Sequence, residues 1–246
     1  MTASARPLLV AHRGYSAIYR ENSPEAWRKA AEAGADVVEA DVRFTADGVA
    51  VCCHDSDLSR LTGRPAAIAE TDAAILATIE ADGMPAAPTL EALFAELPAD
   101  QAVLLDVKDE HPQAIDRLLA ILATFASAPI FLGLHRIETL RRVRRHSGQP
   151  VVGLIDNSRN AGAFFEAGGD ILRLWEADAL PGVIETAAKR AHPIWVTTGH
   201  RDTGRRGGDF DADVLRRLAG EGAAAFLVND PLAARAAISA ISRSPT

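Results

Sequence analysis

The sequence predicts an α/β fold: a TIM (β/α)8 barrel with a small β-hairpin inserted after the second strand. Three observations predict it. Eight short apolar runs recur along the 246 residues, nearly continuous rather than alternating, as in parallel strands buried on both faces. Segments carrying helix start and stop signals separate them. No glycine-rich dinucleotide fingerprint follows the first run, which puts a doubly wound sheet second to the barrel.

In chain order the predicted strands are Leu8–His12, Val37–Val42, Ala102–Val107, Ile130–Leu134, Val151–Ile155, Ile171–Trp175, Ile194–Thr198 and Ala225–Val228. After the first, Asn22-Ser23-Pro24-Glu25 opens a helix with a polar cap, a proline in the first turn and an acid at the positive end of the dipole, and Gly34 closes it. Thr89-Leu90-Glu91 opens another, running to about Glu96. Between the second and third strands, Thr45-Ala46-Asp47-Gly48 precedes a run from Val49 to Cys53, and Asp-Gly between two β-type runs is a hairpin turn. Folding back there brings His54 level with Glu39–Asp41. Arg136 to Arg145 carries Ile137, Leu140 and Val143 at helical spacing among its arginines, an amphipathic helix with a solvated basic face.

No linker or low-complexity break interrupts residues 1–246, so a single domain is expected. A hydrophobic content of 48% with 24% charged residues suits one large core. Net charge −7 argues against a nucleic-acid partner. No apolar run reaches membrane-spanning length, so no stable membrane insertion is expected. Met1–Pro7 is short and polar, unlike a signal peptide, and makes the cytoplasm the expected compartment. Cys52 and Cys53 are adjacent and would point to opposite strand faces, which excludes a disulfide scaffold. The oligomeric state is left open.

The chemistry concentrates at predicted strand ends. Glu39 and Asp41 are two apart on a strand and face the same way, so they repel unless a cation sits between them. Oxygen ligands favour Mg2+ or Ca2+. Asp106 and Lys108 repeat the spacing, with Asp106 a third ligand and Lys108 a cation for a phosphate oxygen. Arg13 offers a planar fork suited to phosphate. His12 and His54 are a general acid and base in waiting. Singly, each of these is more often structural; their joint placement where barrel active sites form carries the reading.

The string A-H-R-G at 11–14, E-N at 21–22, E-A-D at 39–41, the T-A-D-G turn, C-H-D at 53–55, L-S-R-L-T-G at 58–63 and P-T-L-E at 88–91 resembles the glycerophosphodiester phosphodiesterase family. The resemblance extends more weakly to Val228-Asn229-Asp230-Pro231. It implies a barrel, a divalent cation, and hydrolysis of a small glycerophosphodiester to an alcohol and glycerol 3-phosphate. It puts the paired histidines on His12 and His54, the metal carboxylates on Glu39 and Asp41, and phosphate contacts on Arg13 and Lys108. Glu21 and Asn22 match E-N, a support for the site near the reacting group. The family's late W-T-x-N survives only in Ile194-Trp195-Val196-Thr197-Thr198, with Trp195 on the substrate side. Asp106 stands where the family has glutamate, a serine-phenylalanine is replaced near Gly133-Leu134-His135, and terminal T-D-x-P reads with Asn229.

The drift in the second half leaves two further readings. One is a phospholipase-like lyase releasing a cyclic phosphate; the other is a module that binds a phosphorylated ligand without turnover. Trp175, at the end of a strand, is a candidate wall for a cationic head group, although core or rim packing is commoner. The glycines and arginines of residues 200–209 suit a loop closing on an anion.

Overall fold

A computed structural model describes residues 6–125, 128–155 and 160–239, without the Arg201 side chain; the lead-in over Met1–Ala5 and that side chain lie outside it. In chain order the elements are β1 (Leu8–Ala11), α1 (Pro24–Glu32), β2 (Val37–Phe44), β3 (Ala50–Cys52), α2 (Ser59–Thr62), α3 (Ala73–Leu76), β4 (Glu80–Ala81), β5 (Met84–Pro85), α4 (Leu90–Glu96), β6 (Ala102–Val107) and α5 (Pro112–Leu122). They continue with β7 (Ile130–Leu134), α6 (Ile137–His146), β8 (Val151–Gly153), α7 (Ala161–Glu166), β9 (Ile171–Trp175), α8 (Val183–Lys189), β10 (Ile194–Thr197), α9 (Ala212–Gly220), β11 (Ala225–Val228) and α10 (Pro231–Ser239). The parallel order β1-β11-β10-β9-β8-β7-β6-β2 closes through pairing of β1 with β2, giving the predicted eight-stranded barrel.

The strand alternation sorts side chains into two cores. Val38, Ala40 and Val42 of β2 face the helices, as do Leu9 of β1 and Val103 and Leu105 of β6. Val10, Val37, Leu104, Trp195, Ala225 and Leu227 fill the barrel's interior. With a period of two, the next inward positions towards the C-terminal mouth are His12, Glu39 and Asp41, Asp106, His135, Thr197 and Asn229. The interior is thus apolar below and polar above, where the catalytic face of such barrels lies.

The expected helix starts hold, with Ser23 as the cap of α1. Its hydroxyl accepts from the Ala26 N–H at 3.1 Å, Pro24 takes the first turn, and Trp27 is buried against the sheet. Thr89 caps α4 in the same way. Such a cap is worth about 1 kcal/mol. In α6, Leu140 and Val143 are buried, and the arginines are partly engaged, Arg142 with Asp116 and Arg144 with Asp170.

The insertion after β2 is larger than the predicted hairpin. The hairpin itself pairs Val42 with Cys52 and Phe44 with Ala50, turning at Gly48 (φ +82°). Beyond it, the segment to Ala87 builds a small separate core from Leu58, Ile68, Leu76 and Ile79. The two buried free cysteines divide between the two cores, Cys52 in the barrel's and Cys53 in the insertion's. Adjacent residues on opposite strand faces produce that division. Among the described residues no helix is long and apolar enough to cross a membrane.

Candidate active site

The H-R-G turn has a physical reason for each residue. His12 is the next inward position of β1. Arg13 adopts φ +59°, a left-handed conformation that costs a non-glycine residue about 1–2 kcal/mol. It aims the Arg13 N–H at Glu39 Oε2, 2.6 Å away, while the guanidinium reaches Glu21 at 3.0 Å and Asp41 at 3.3 Å. Gly14 (φ +79°) passes so close to α1 that a Cβ would lie 2.7 Å from the Ala26 carbonyl carbon. Any larger residue there would push the turn off the helix.

Glu39 and Asp41 project inward from β2, and Asp41 lies in register with Asp106 of β6. One oxygen from each of the three lies within 4.8 Å of the others. Asn22 is clamped to Asp41 reciprocally: its Nδ2 donates to Oδ2 at 2.7 Å, and the Asp41 N–H donates to its Oδ1 at 3.2 Å. Lys108 Nζ bridges Asp41 at 2.9 Å and Asp106 at 2.6 Å. Burial works against ionisation of Asp41, but Lys108 and Arg13 outweigh it and hold its carboxyl below the usual range. Glu39 goes the other way: burial first, then Asp41 and Asp106, push its carboxyl well above the usual value.

This donor set fits a divalent cation. Metal–oxygen bonds of about 2.0–2.6 Å span oxygens up to about 4–5 Å apart, and carboxylates are the hard ligands Mg2+ and Ca2+ prefer. Glu39 and Asp41 are buried and Asp106 is half-buried beside them, and Lys108 and Arg13 neutralise Asp41 first, which leaves Glu39 in need of positive charge.

His12 is held by Asn229, with Nδ1 and Oδ1 2.9 Å apart. Burial, then the nearby Arg13 charge, push the His12 imidazole down to about 4, so it is neutral at pH 7. His54 follows the hairpin, where its carbonyl accepts two bonds from Arg43, at 3.1 and 2.9 Å. Its Nδ1 lies 2.8 Å from Asp55 Oδ1. A chain of charges continues from Asp55 to Arg60 at 2.5 Å, from Arg60 to Glu21 at 2.6 Å, and back to Arg13. Both histidines border two adjoining cavities of about 220 and 470 Å3. The inner one reaches Glu39, Asp106, Lys108 and His135; the outer one reaches Glu21, Arg60, His200 and Arg206.

His12, Arg13, Glu21, Asn22, Glu39, Asp41, His54, Asp106 and Lys108 thus converge at one mouth. Trp195 does not join them. It is 2% exposed in the lower apolar layer, its ring centroid 5.2 Å from that of Phe131, and it lines neither cavity. Alternation explains this: Trp195 and Thr197 share the inward face, and Thr197, nearer the mouth, lines the inner cavity. Trp175 borders both cavities, stacked with His200 at 4.4 Å and under the Arg173 guanidinium at 4.3 Å. The loop after β10 is tied down at several points. Gly208 N–H donates to Thr198 O at 2.7 Å, and Gly199 N–H to Glu176 Oε2 at 2.8 Å.

Three groups escaped the sequence reading. His135 Nε2 meets Asp106 Oδ1 at 2.7 Å; Asn229 orients His12; Asp55 orients His54. The inward period of β7 and β11 would have found the first two, since Gly133 and Leu227 share their faces.

The model of the "Glycerophosphoryl diester phosphodiesterase family" matches residues 12–154, more than half of the chain. The probable glycerophosphodiester phosphodiesterase 2 of Mycobacterium tuberculosis is 36% identical over 102 residues, 41% of this chain and 38% of that protein. A glycerophosphodiester phosphodiesterase of Caldanaerobacter subterraneus is 44% identical over 57 residues, 23% of this chain and 24% of its own length. The matched stretches therefore span well under two thirds of those relatives. Among solved structures, the Thermotoga maritima glycerophosphodiester phosphodiesterase superposes with a TM-score of 0.78 at 25% identity, covering 94% of this chain and 98% of the other. An Oleispira antarctica phosphodiesterase, solved with the product sn-glycerol-3-phosphate, gives 0.78 at 18% identity over 95% and 97% of the two chains, a likeness of fold. The H-R-G, E-N, E-x-D and H-D residues that meet at the mouth lie within the matched region, and the chain belongs to the glycerophosphoryl diester phosphodiesterase family.

Proposed function

We propose that the protein hydrolyses a small glycerophosphodiester, in a divalent-cation-dependent reaction, to an alcohol and glycerol 3-phosphate. The observation that carries this reading is the pair of histidines bordering one cavity, each tied through Nδ1 to its own partner, Asn229 or Asp55. Either tie leaves Nε2 for the substrate. Neutral His12 takes the proton of the attacking hydroxyl, either that of a water or that of the glycerol's neighbouring carbon; in the second case the cyclic phosphate formed is opened by water in a further step to give glycerol 3-phosphate. His54 gives a proton to the departing alkoxide as its bond to phosphorus breaks. Arg13 and Lys108 supply positive charge to the phosphoryl oxygens. A cation held by Glu39, Asp41 and Asp106 would add Lewis-acid polarisation of the phosphate. The Oleispira antarctica relative's product complex supports glycerol 3-phosphate as the retained half.

The test is glycerol 3-phosphate release from glycerophosphocholine and glycerophosphoethanolamine, with EDTA and then added Mg2+ or Ca2+. Metal-restored release is expected, and His12→Ala and His54→Ala should each lower kcat at least about a hundredfold. Failure of every metal to restore release, or near-normal rates in either variant, refutes the reading or that residue's assignment. Phosphorus NMR distinguishes hydrolysis from a lyase outcome, which would leave a persistent cyclic phosphate.

A further inference from the structure

Asn229 joins two sides of the site. Its Oδ1 meets His12 Nδ1 at 2.9 Å, and its Nδ2 donates to Gly207 O at 2.9 Å and to Asp209 Oδ1 at 2.8 Å. Gly207 O and a carboxylate oxygen can only accept, so both Nδ2 hydrogens point into the loop after β10 and Oδ1 must face the imidazole. An oxygen facing Nδ1 requires a hydrogen on Nδ1. The lone pair of neutral His12 is then on Nε2. Reversing the amide would present N–H to Nδ1, favour hydrogen on Nε2, and leave no acceptor towards the cavity.

The surroundings fix this arrangement tightly. Gly208 (φ +87°) lies directly over the bond: a Cβ there would fall 2.0 Å from Asn229 Oδ1 and 2.8 Å from His12 Nδ1. Asn229 N–H donates to Gly208 O at 2.8 Å, and Ser16 Oγ lies 3.0 Å from Asn229 Oδ1. Asp209 in turn is held by Arg206, whose Nε is 3.2 Å from Oδ2.

We propose that Asp209 is a positioning residue that selects the reactive tautomer of His12 through the Asn229 amide. This rests on His12 as the proton acceptor of the reaction proposed above. It assigns a task to a loop residue far in sequence from the H-R-G turn, and it gives Asn229 a partner suited to an amide.

The first readout needs no substrate. In 15N NMR of the resting wild-type protein, with the His12 signals assigned by their loss in His12→Gln, Nδ1 should be the protonated nitrogen and Nε2 the bare one. Hydrogen on Nε2 in the wild type overturns the proposal without any variant. In Asp209→Ala the His12 pattern should move towards a mixture of tautomers, and kcat should fall about tenfold with little change in KM. An unchanged pattern with kcat within twofold of wild type overturns the proposal and leaves Asp209 a staple for the loop. Asn229→Asp supplies a second test, because its new carboxylate faces Asp209 across one hydrogen-bond distance. Adding Asp209→Asn converts that repulsion into an amide–carboxylate bond and should recover most of the lost kcat; no recovery counts against the relay. Should the wild type prove inactive on every diester, the NMR still decides the tautomer, so the two readings fail separately.

Discussion

At the scale of the residue, the acid cluster distributes its charge unevenly. Asp41 is anchored by Asn22, Lys108 and Arg13, whereas Glu39, among the described residues, accepts the Arg13 backbone N–H and feels two like charges. Without a cation, Glu39 therefore holds a proton well above the usual carboxylate range. A cation competes for the same oxygen, so binding should release that proton, and affinity should rise with pH until Glu39 is ionised on its own. Isothermal titration of Mg2+ or Ca2+ in two buffers of different ionisation enthalpy reads the released proton directly. Glu39→Gln should abolish the release and weaken binding at least tenfold. Heats that do not depend on the buffer would contradict this ordering of the carboxyls.

At the scale of the element, the hairpin is the device that delivers His54. Its register sets Cys53 opposite Asp41, with the Cys53 N–H donating to Asp41 O at 3.1 Å, and Arg43 then grips the His54 carbonyl and Asp109 together. Replacing Arg43 by Met keeps the stem and loses those charged bonds. A stability loss of about 1–3 kcal/mol is expected. With His54 as the proton donor proposed above, the drop in kcat should exceed the change in KM, since a small displacement of such a group costs more in reaction than in binding. Steady-state kinetics with denaturant unfolding checks it; a loss of stability with kcat intact would mean the grip serves folding alone. This element was legible in advance because Asp-Gly turns and alternation are local signals. Local signals also located Glu39 and Asp41, two apart on β2, and Asp106 and Lys108, two apart at the end of β6. What escaped was non-local or decided by depth. Asn229 reaches His12 across 217 positions; the period of β11 places it on the inward face, but no local signal pairs it with His12. Trp195 matched a family motif, yet its inward position lies one layer too deep. The insertion's own core was hidden because its apolar residues are scattered among short turns rather than set in one periodic run.

At the scale of the molecule, the barrel closes where β1 meets β2, through two residue pairs, Val10 with Val37 and Ala11 with Val38. Asp36 reinforces that seam from the opposite end of the barrel to the active site. Its backbone N–H donates to Leu9 O at 2.9 Å, and its carboxylate accepts from the Leu9 N–H at 2.8 Å. The same carboxylate pairs with Arg6 at 2.7 Å and with Arg235 of α10 at 3.1 Å, tying the first strand to the last helix. Burial raises the Asp36 carboxyl, but Arg6, the Leu9 N–H and Arg235 outweigh it and hold it below the usual carboxylate range. A lowered carboxyl contributes stability above its unfolded value and loses it as pH falls through the folded one. Asp36→Asn should therefore cost about 1–2 kcal/mol at pH 7, a modest figure because Arg6 is 56% exposed and water screens that pair. The deficit should persist at pH 5 and narrow below about pH 4 as the wild-type carboxyl protonates. Urea unfolding of both proteins at pH 7, 5 and 3.5 measures the gap. A difference independent of pH would assign the seam to packing, and no difference at pH 7 would remove Asp36 from the closure of the barrel.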